Sequence, residues 1–436
     1  MDFCEEGGSS LLILIISFMI LCMLGVPIAF VLGLVTLIYV LTTGNFNSFE
    51  TLPTMMFNEM QNFGFVAIPL FVLLGEIMNR GGITSRLIHF AYVIFGGLRG
   101  GLAYVNLSAN MFLASIVVTA NAQTAIVSRI IVPEMQKQGY SKEFSAVLTT
   151  SSFIIGPLIP PSLSLLIFGV IAGVSVSQLF LAGILPGVIF AIGFGILIYL
   201  YAKKKNLPRT NRTPLRDAVH SLFSILPALV VPLLVIVGIT SGALRVTESA
   251  AVAVLLASLI GRFFYKEIRV KDIPDILIRT VISTSVVSFM FATANMFNWA
   301  LQMNNIPKKV TDFFLSIADN TFVFLLLLNV LLLITGIFLK GIGGIIVLTP
   351  ILTPIAVQYG VDPVHLGIII VINLTMSLMF PPVGSVLFIA SRRTGLSIER
   401  LTFKLIPFLI LSFGILLIIT YLPWVTAFLP NVLGLK

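Results

Sequence analysis

LIPPSLSLLIFG, residues 158–169, and MFPPVGSVLFIA, residues 379–390, decide how this chain folds. Each places a proline pair inside an apolar run. Proline lacks an amide donor and clashes with the preceding turn, so neither run can be one unbroken helix. The pairs Pro160-Pro161 and Pro381-Pro382 lie 221 residues apart, and the same offset relates Pro133 to Pro354, Gly139 to Gly360 and Pro186 to Pro407. A constant spacing across the set argues for duplicated halves, near 84–200 and 306–422.

The 436 residues are 58% hydrophobic and 10% charged, with a mean hydropathy of +1.10, far from a soluble globular composition. Runs such as 11–40, 65–78, 179–202, 222–239, 322–339 and 401–422 predict an all-α polytopic membrane protein with about ten to twelve spans. Asp2, Glu5 and Glu6 stand where a signal peptide would carry basic residues, so the first apolar segment is expected to stay. Only Cys4 and Cys22 are present, which supports neither a disulfide framework nor a thiolate metal site.

The net charge of +9 is not a nucleic-acid footprint, because the basic residues cluster in short loops between apolar segments. Lys203 to Arg216 and Arg262 to Lys271 read as cytoplasmic, together with Arg80 and Arg86. The stretch 43–61 has no Lys or Arg and reads as outward.

In lipid, broken backbone survives only when buried in protein or lining an aqueous cavity. The doubled proline pairs therefore predict two symmetry-related discontinuous elements meeting near the membrane midplane, an arrangement that carries substrate and ion sites. The alternative is that the prolines only kink packed helices. Small polar residues collect around each break: Thr119, Asn121, Gln123 and Thr124, then Ser151, Ser152 and Ser162, in the first half. Lys340, Gly341, Gly343 and Gly344, then Asn373, Thr375, Ser377 and Gly384, do so in the second. Hydroxyls, amides and freed carbonyls suit an alkali cation or the polar groups of a substrate. They also serve ordinary helix packing in membranes.

The stretches GVPIAFVLGL (25–34), IPLFVLLGEIMNRGGIT (68–84), LRGGLAYVN (98–106), VTESAAVAV (246–254) and LTPILTPIAVQYGVDPVHLG (348–367), with both proline-pair motifs, resemble the large membrane subunit of tripartite ATP-independent periplasmic (TRAP) transporters. The resemblance runs from about residue 11 to 422. It implies a secondary importer of small organic acids in a bacterial inner membrane. Its partners would be a small membrane subunit and a soluble periplasmic binding protein, both separate polypeptides, with a carboxylate as substrate. It implies an elevator-type ion-transporter fold with two helical hairpins in an internal, inverted repeat, and sodium as coupling ion rather than any cofactor.

On this reading 1–83 supplies N-terminal scaffold helices, and the first hairpin lies near 119–135 of the first repeat. Residues 201–305 form a cytoplasmic loop and central scaffold, the second hairpin lies near 340–356, and 423–436 is a tail. Pro160, Pro161 and Ser162, with Pro381, Pro382 and Gly384, would mark the unwound partners. The family commonly shows an acidic residue ten positions before the first-hairpin proline, Pro133, and ten before the LTP proline of the second, Pro350, where this sequence has Gln123 and Lys340. Lys340 therefore has two readings: an ammonium standing in for a bound cation, or an anchor that snorkels to the membrane face.

Other charged residues have local explanations. Glu248 reads as a helix-end stabiliser, Glu76 as the partner of a local ion pair beside Asn79 and Arg80, Arg129 as an interfacial anchor, and His365 as structural. No HExxH, GxSxG or Walker A pattern occurs, so an enzyme is not expected. A binding-protein-independent anion carrier and a relative with altered or lost sodium coupling remain as alternatives.

Overall fold

We describe the structure, a computed structural model, over residues 3–44, 46–61, 63–113, 120–207, 215–339, 341–381 and 384–434. Among these residues there is no strand, and the helices follow in chain order. They are α1 (Phe3–Met23), α2 (Ile28–Thr43), α3 (Ser48–Met60), α4 (Ala67–Arg80), α5 (Ile83–Phe95), α6 (Gly101–Leu113) and α7 (Ala120–Lys137). Next come α8 (Lys142–Ser152), α9 (Leu163–Ala172), α10 (Val176–Lys204), α11 (Leu215–Thr240), α12 (Val246–Leu259), α13 (Ile273–Met303) and α14 (Ile306–Ile317). The last are α15 (Thr321–Phe338), α16 (Ile342–Gln358), α17 (Pro363–Ser377), α18 (Ser385–Thr394), α19 (Ile398–Tyr421) and α20 (Trp424–Val432).

Six helices among the described residues are long and apolar enough to cross a membrane, and two bent pairs bring the number to eight. Four shorter apolar helices, in 12–23, 28–43, 342–358 and 363–377, account for apolar runs that hydropathy alone counts as full spans. The run 11–40 is two helices, because Gly25 takes a left-handed φ of 75° and Pro27 then opens α2. The segment 423–436, expected as a tail, contains α20, which packs on α10 and α17 and buries Val425 and Thr426.

The duplication is visible in the helix ends. α7 ends at Lys137 and α16 at Gln358, 221 residues on; Ser141 caps α8 and Asp362 caps α17 at the same offset. Gly139 and Gly360 both take left-handed φ values, 86° and 74°, to turn the chain between them. α6 packs on α7, and α15 is tied back to the end of α16 where Thr321 Oγ1 donates to Tyr359 O at 2.9 Å and the Phe324 and Tyr359 rings stack. Each half therefore holds a helical hairpin, and the ranges 119–135 and 340–356 cover its second arm.

The halves exchange partners. α7 of the first packs on α18 of the second, while α16 of the second packs on α9 of the first. A second body, built from α2, α3, α4, α12 and α13, packs alongside and meets the repeats through α4 against α9 and α13 against α16. Its membrane-edge turn is clamped: Arg80 pairs with Asp272 at 2.7 Å, and Arg86 lies 3.9 Å over the Tyr265 ring and 3.5 Å from Glu267. Gly81 and Gly261 approach so closely that a Cβ on either would meet the other's backbone at 3.2–3.4 Å.

Candidate functional site

Both breaks take the form that the proline pairs predict. After α8, a 3-10 turn over Phe153–Leu158 leads to the cis Pro160-Pro161 bond, and Ser162 then caps α9 by accepting from Leu165 N at 3.3 Å. In the second half α17 ends at Ser377 and Gly384 opens α18, where a Cβ would meet Leu378 O at 2.9 Å and Phe380 O at 3.0 Å. Only glycine fits there.

A cavity of about 660 Å³ lies where these breaks meet the hairpin tips and the second body. The first hairpin contributes Asn121 and Gln123, the second Gly341 and Gly343, and the breaks add Pro161, Ser162 and Thr375. The first hairpin is joined to the second break across the repeat: Ser385 Oγ donates to Asn121 Oδ1 at 2.9 Å. At Gly343 hairpin and scaffold pack closely, since a Cβ there would sit 3.0 Å from Ile28 of α2 and Met290 of α13.

Gln123 ends a buried chain of amides. Asn106 Nδ2 donates to Thr149 Oγ1 at 2.7 Å, Asn110 Nδ2 to Asn106 Oδ1 at 3.0 Å, and Gln123 Nε2 to Asn110 O at 2.7 Å and Oδ1 at 3.1 Å. An acid at this position would set an acceptor against acceptors, so the amide matches its surroundings. The second half has its own chain. Asn373 Nδ2 donates to Asn329 Oδ1 at 2.7 Å, and Asn329 Nδ2 to Thr420 Oγ1 at 3.2 Å. Thr420 O can only accept, so His365 Nε2 carries the proton it donates there at 3.1 Å, leaving Nδ1 to accept from Thr426 at 2.9 Å. His365 is a satisfied structural group.

Several of the residues named from sequence do not line the cavity. Ser151 Oγ donates to Val147 O and Ser377 Oγ to Leu374 O, each spent on its own helix. Gly344 is a close-packing position, with a Cβ meeting Leu339 O at 2.8 Å. Pro160, Pro381 and Gly384 shape the breaks without reaching the cavity wall. Thr124, Ser152 and Asn373 are buried behind it. Thr119, Lys340 and Pro382 lie outside the described residues.

Glu76 is not the partner of Arg80. Arg80 takes Asp272 as its partner, and Glu76 instead faces the cavity from α4, within electrostatic range of Arg279 on α13, which also lines it. Sequence reasoning missed Arg279 altogether. The available signal was an ionisable residue in each of two largely apolar segments, VLLGEIM (72–78) and ILIRTVI (276–282). Glu248, by contrast, caps α12 as expected, accepting from Arg245 N at 2.8 Å.

Nine buried side-chain oxygens have no hydrogen-bond partner among the described residues, and four fall into repeat-related pairs. Ser128 Oγ and Thr349 Oγ1 stand 221 residues apart on α7 and α16, and Ser152 Oγ and Asn373 Oδ1 at the same offset on α8 and α17.

Residues 15–425 match the family described as "Tripartite ATP-independent periplasmic transporter, DctM component". The chain is 34% identical to the sialic acid TRAP transporter large permease protein SiaM of Vibrio cholerae, over 93% of this chain and 95% of that protein. It is also 34% identical to the C4-dicarboxylate TRAP transporter large permease protein DctM of Pseudomonas aeruginosa, over 89% and 91%. Its fold resembles the crystal structure of the Alcanivorax borkumensis YdaH transporter, with a TM-score of 0.64 over 87% of this chain and 89% of that one, at 14% identity.

Proposed function

The chain belongs to the DctM-component family of TRAP transporters and is a multi-pass protein of the inner membrane, and we propose that it imports an organic acid by sodium-coupled alternating access. The observation that carries this reading is the meeting of two repeat-related hairpin tips and two broken helices around one cavity, against a separately packed body. Such a site can be presented to either side by moving the repeats past the scaffold. The polar scaffold residues at the cavity, Glu76, Asn79 and Arg279, sit beside Arg80 and Asp272, the side that positive-inside charge assigns to the cytoplasm. This supports an inward-facing state.

Sodium has candidate ligands without any hairpin acid. The unpartnered oxygens of Ser128 and Ser152 in one half, and of Thr349 and Asn373 in the other, are hard donors held out of water, and their pairing at one offset is what two ion positions related by the repeat require. Two relatives are named for sialic acid and for C4-dicarboxylates, which supports a carboxylate as the substrate. Family resemblance supplies the small membrane subunit and the periplasmic binding protein as partners.

Two measurements test this. In a cysteine-free background, Ile28→Cys with Gly343→Cys joins α2 to α16; oxidation is expected to stop uptake and reduction to restore it, and uptake that ignores the cross-link refutes movement between the two bodies. Thermal unfolding in sodium against choline at matched ionic strength reads the ion. A saturable sodium-specific rise, about 2.7 kcal/mol at a hundredfold excess over Kd, is expected. No rise in wild type with a rise in Lys340→Asp would put the lysine ammonium in the ion's place.

A further inference from the structure

We propose that Arg279 docks the carboxylate of the transported acid at the cavity wall, and that the cavity selects a polyhydroxylated monocarboxylate over a dicarboxylate. This deepens the transport reading and rests on it.

Arg279 projects from the second turn of α13, on the scaffold, and lines the cavity with its side chain 63% exposed. Its Nε donates to Asp275 Oδ2 at 3.0 Å, the i,i−4 neighbour, which fixes the direction of the guanidinium. Both Nη groups have no partner among the described residues. A planar fork held from behind by a carboxylate, with its outer edge toward a cavity, is suited to a bidentate grip on a second carboxylate.

The rest of the wall decides what the acid can carry. Glu76 is the one acidic residue among the described lining residues, as Arg279 is the one cation. A carboxylate is welcome at Arg279, whereas a second one on the same small molecule that came near Glu76 would meet a like charge at close range, which disfavours it. The other polar side chains of the wall are amides and hydroxyls, among them Asn79, Asn121 and Gln123, with Ser164, Ser283 and Ser385. Amides and hydroxyls both donate and accept, which matches alcohol groups. The volume of about 660 Å³ leaves room for such a molecule with water between it and the wall.

The position of Arg279 also sets when it acts. Asn121 and Ser385 belong to the repeats, Arg279 and Glu76 to the scaffold. If the repeats carry the acid, its contact with Arg279 exists only while the site faces this end of α13. Arg279 is thus a positioning residue for one end of the cycle, governing capture and release there.

The test is thermal unfolding of the detergent-purified protein with its small subunit, titrated with D-gluconate and with succinate, for wild type, Arg279→Gln, Arg279→Lys and Glu76→Gln. Gluconate is expected to raise the wild-type midpoint saturably and succinate not. Arg279→Gln is expected to weaken the apparent gluconate affinity by about tenfold or more, with Arg279→Lys between the two. Glu76→Gln is expected to gain a succinate response, a gain that general damage to the fold cannot produce. Succinate stabilising wild type as well as gluconate does, or Arg279→Gln responding to gluconate like wild type, overturns the inference and leaves the transport reading standing. A folded wild type that responds to neither of these acids nor to any other carboxylate removes both.

Discussion

Asn121, the second residue of α7, accepts a hydrogen bond from Ser385, the first residue of α18, at 2.9 Å across 264 residues of sequence. The contact ties the tip of one repeat's hairpin to the broken helix of the other, beside the cavity. A neutral hydrogen bond of this kind contributes about 1 kcal/mol net, or roughly fivefold in an equilibrium. Ser385→Ala is expected to change the apparent substrate affinity by up to about that factor while leaving the unfolding midpoint nearly unmoved, since both residues face the cavity. A midpoint that falls sharply with affinity unchanged would make the contact purely structural.

Close packing around the first break gives a sharper contrast. A Cβ on Gly183, in α10, would meet Leu158 O at 2.3 Å, a backbone atom that cannot rotate away, whereas one on Gly414, in α19, would meet nothing within 4 Å. Gly183→Ala is expected to cost about 1–3 kcal/mol through overpacking. Gly414→Ala should be neutral or stabilise by up to about 1 kcal/mol through helix propensity. Comparison of the two unfolding midpoints in one detergent decides it; equal values would mean that the break yields.

The breaks were legible in the sequence because proline and glycine constrain backbone directly, and a constant offset tied them into halves. Side-chain roles at the breaks were less legible. Asn121 and Asn373 look alike in sequence, yet one opens on the cavity and the other is buried against Asn329, a difference set by which face of a helix the neighbouring repeat covers. The scaffold contribution was harder still. Glu76 and Arg279 are 203 residues apart, outside the repeat, and only the packing of α4 on α13 brings them to one wall. Local charge pairing suggested Arg80 for Glu76 because it is four residues away; the clamp from Asp272 takes that arginine instead.

Tyr140, in the turn between α7 and α8, gives an alkaline signature. Burial pushes its phenol up from 10 to about 12, against hydrogen bonds from the backbone at Leu102 and Ala103 that pull it down. A pKa raised on folding means that the contribution is fully present below pH 10 and is lost as pH rises toward about 12. The midpoint of unfolding should therefore fall across that window. Tyr140→Phe, which cannot ionise, should shift the fall to higher pH; an unchanged profile would show that other groups govern alkaline unfolding.

Gln123 offers the most direct reading of how this chain manages without a hairpin acid. Its Nε2 sits 2.7 Å and 3.1 Å from two oxygens of Asn110, and the residue is 2% exposed. In Gln123→Glu a carboxylate oxygen replaces the donor and faces both acceptors with little water to screen it. The unmet acceptors and the added charge are expected to cost about 1–3 kcal/mol in choline. A cation bridging the new carboxylate and the Asn110 oxygens would remove that repulsion, so sodium should restore stability to the variant by more than it adds to wild type. Unfolding midpoints for both proteins across a sodium titration at constant ionic strength measure the difference. A variant as stable as wild type in choline would show that Asn110 turns its amide to donate, and that the glutamine is not required by its surroundings.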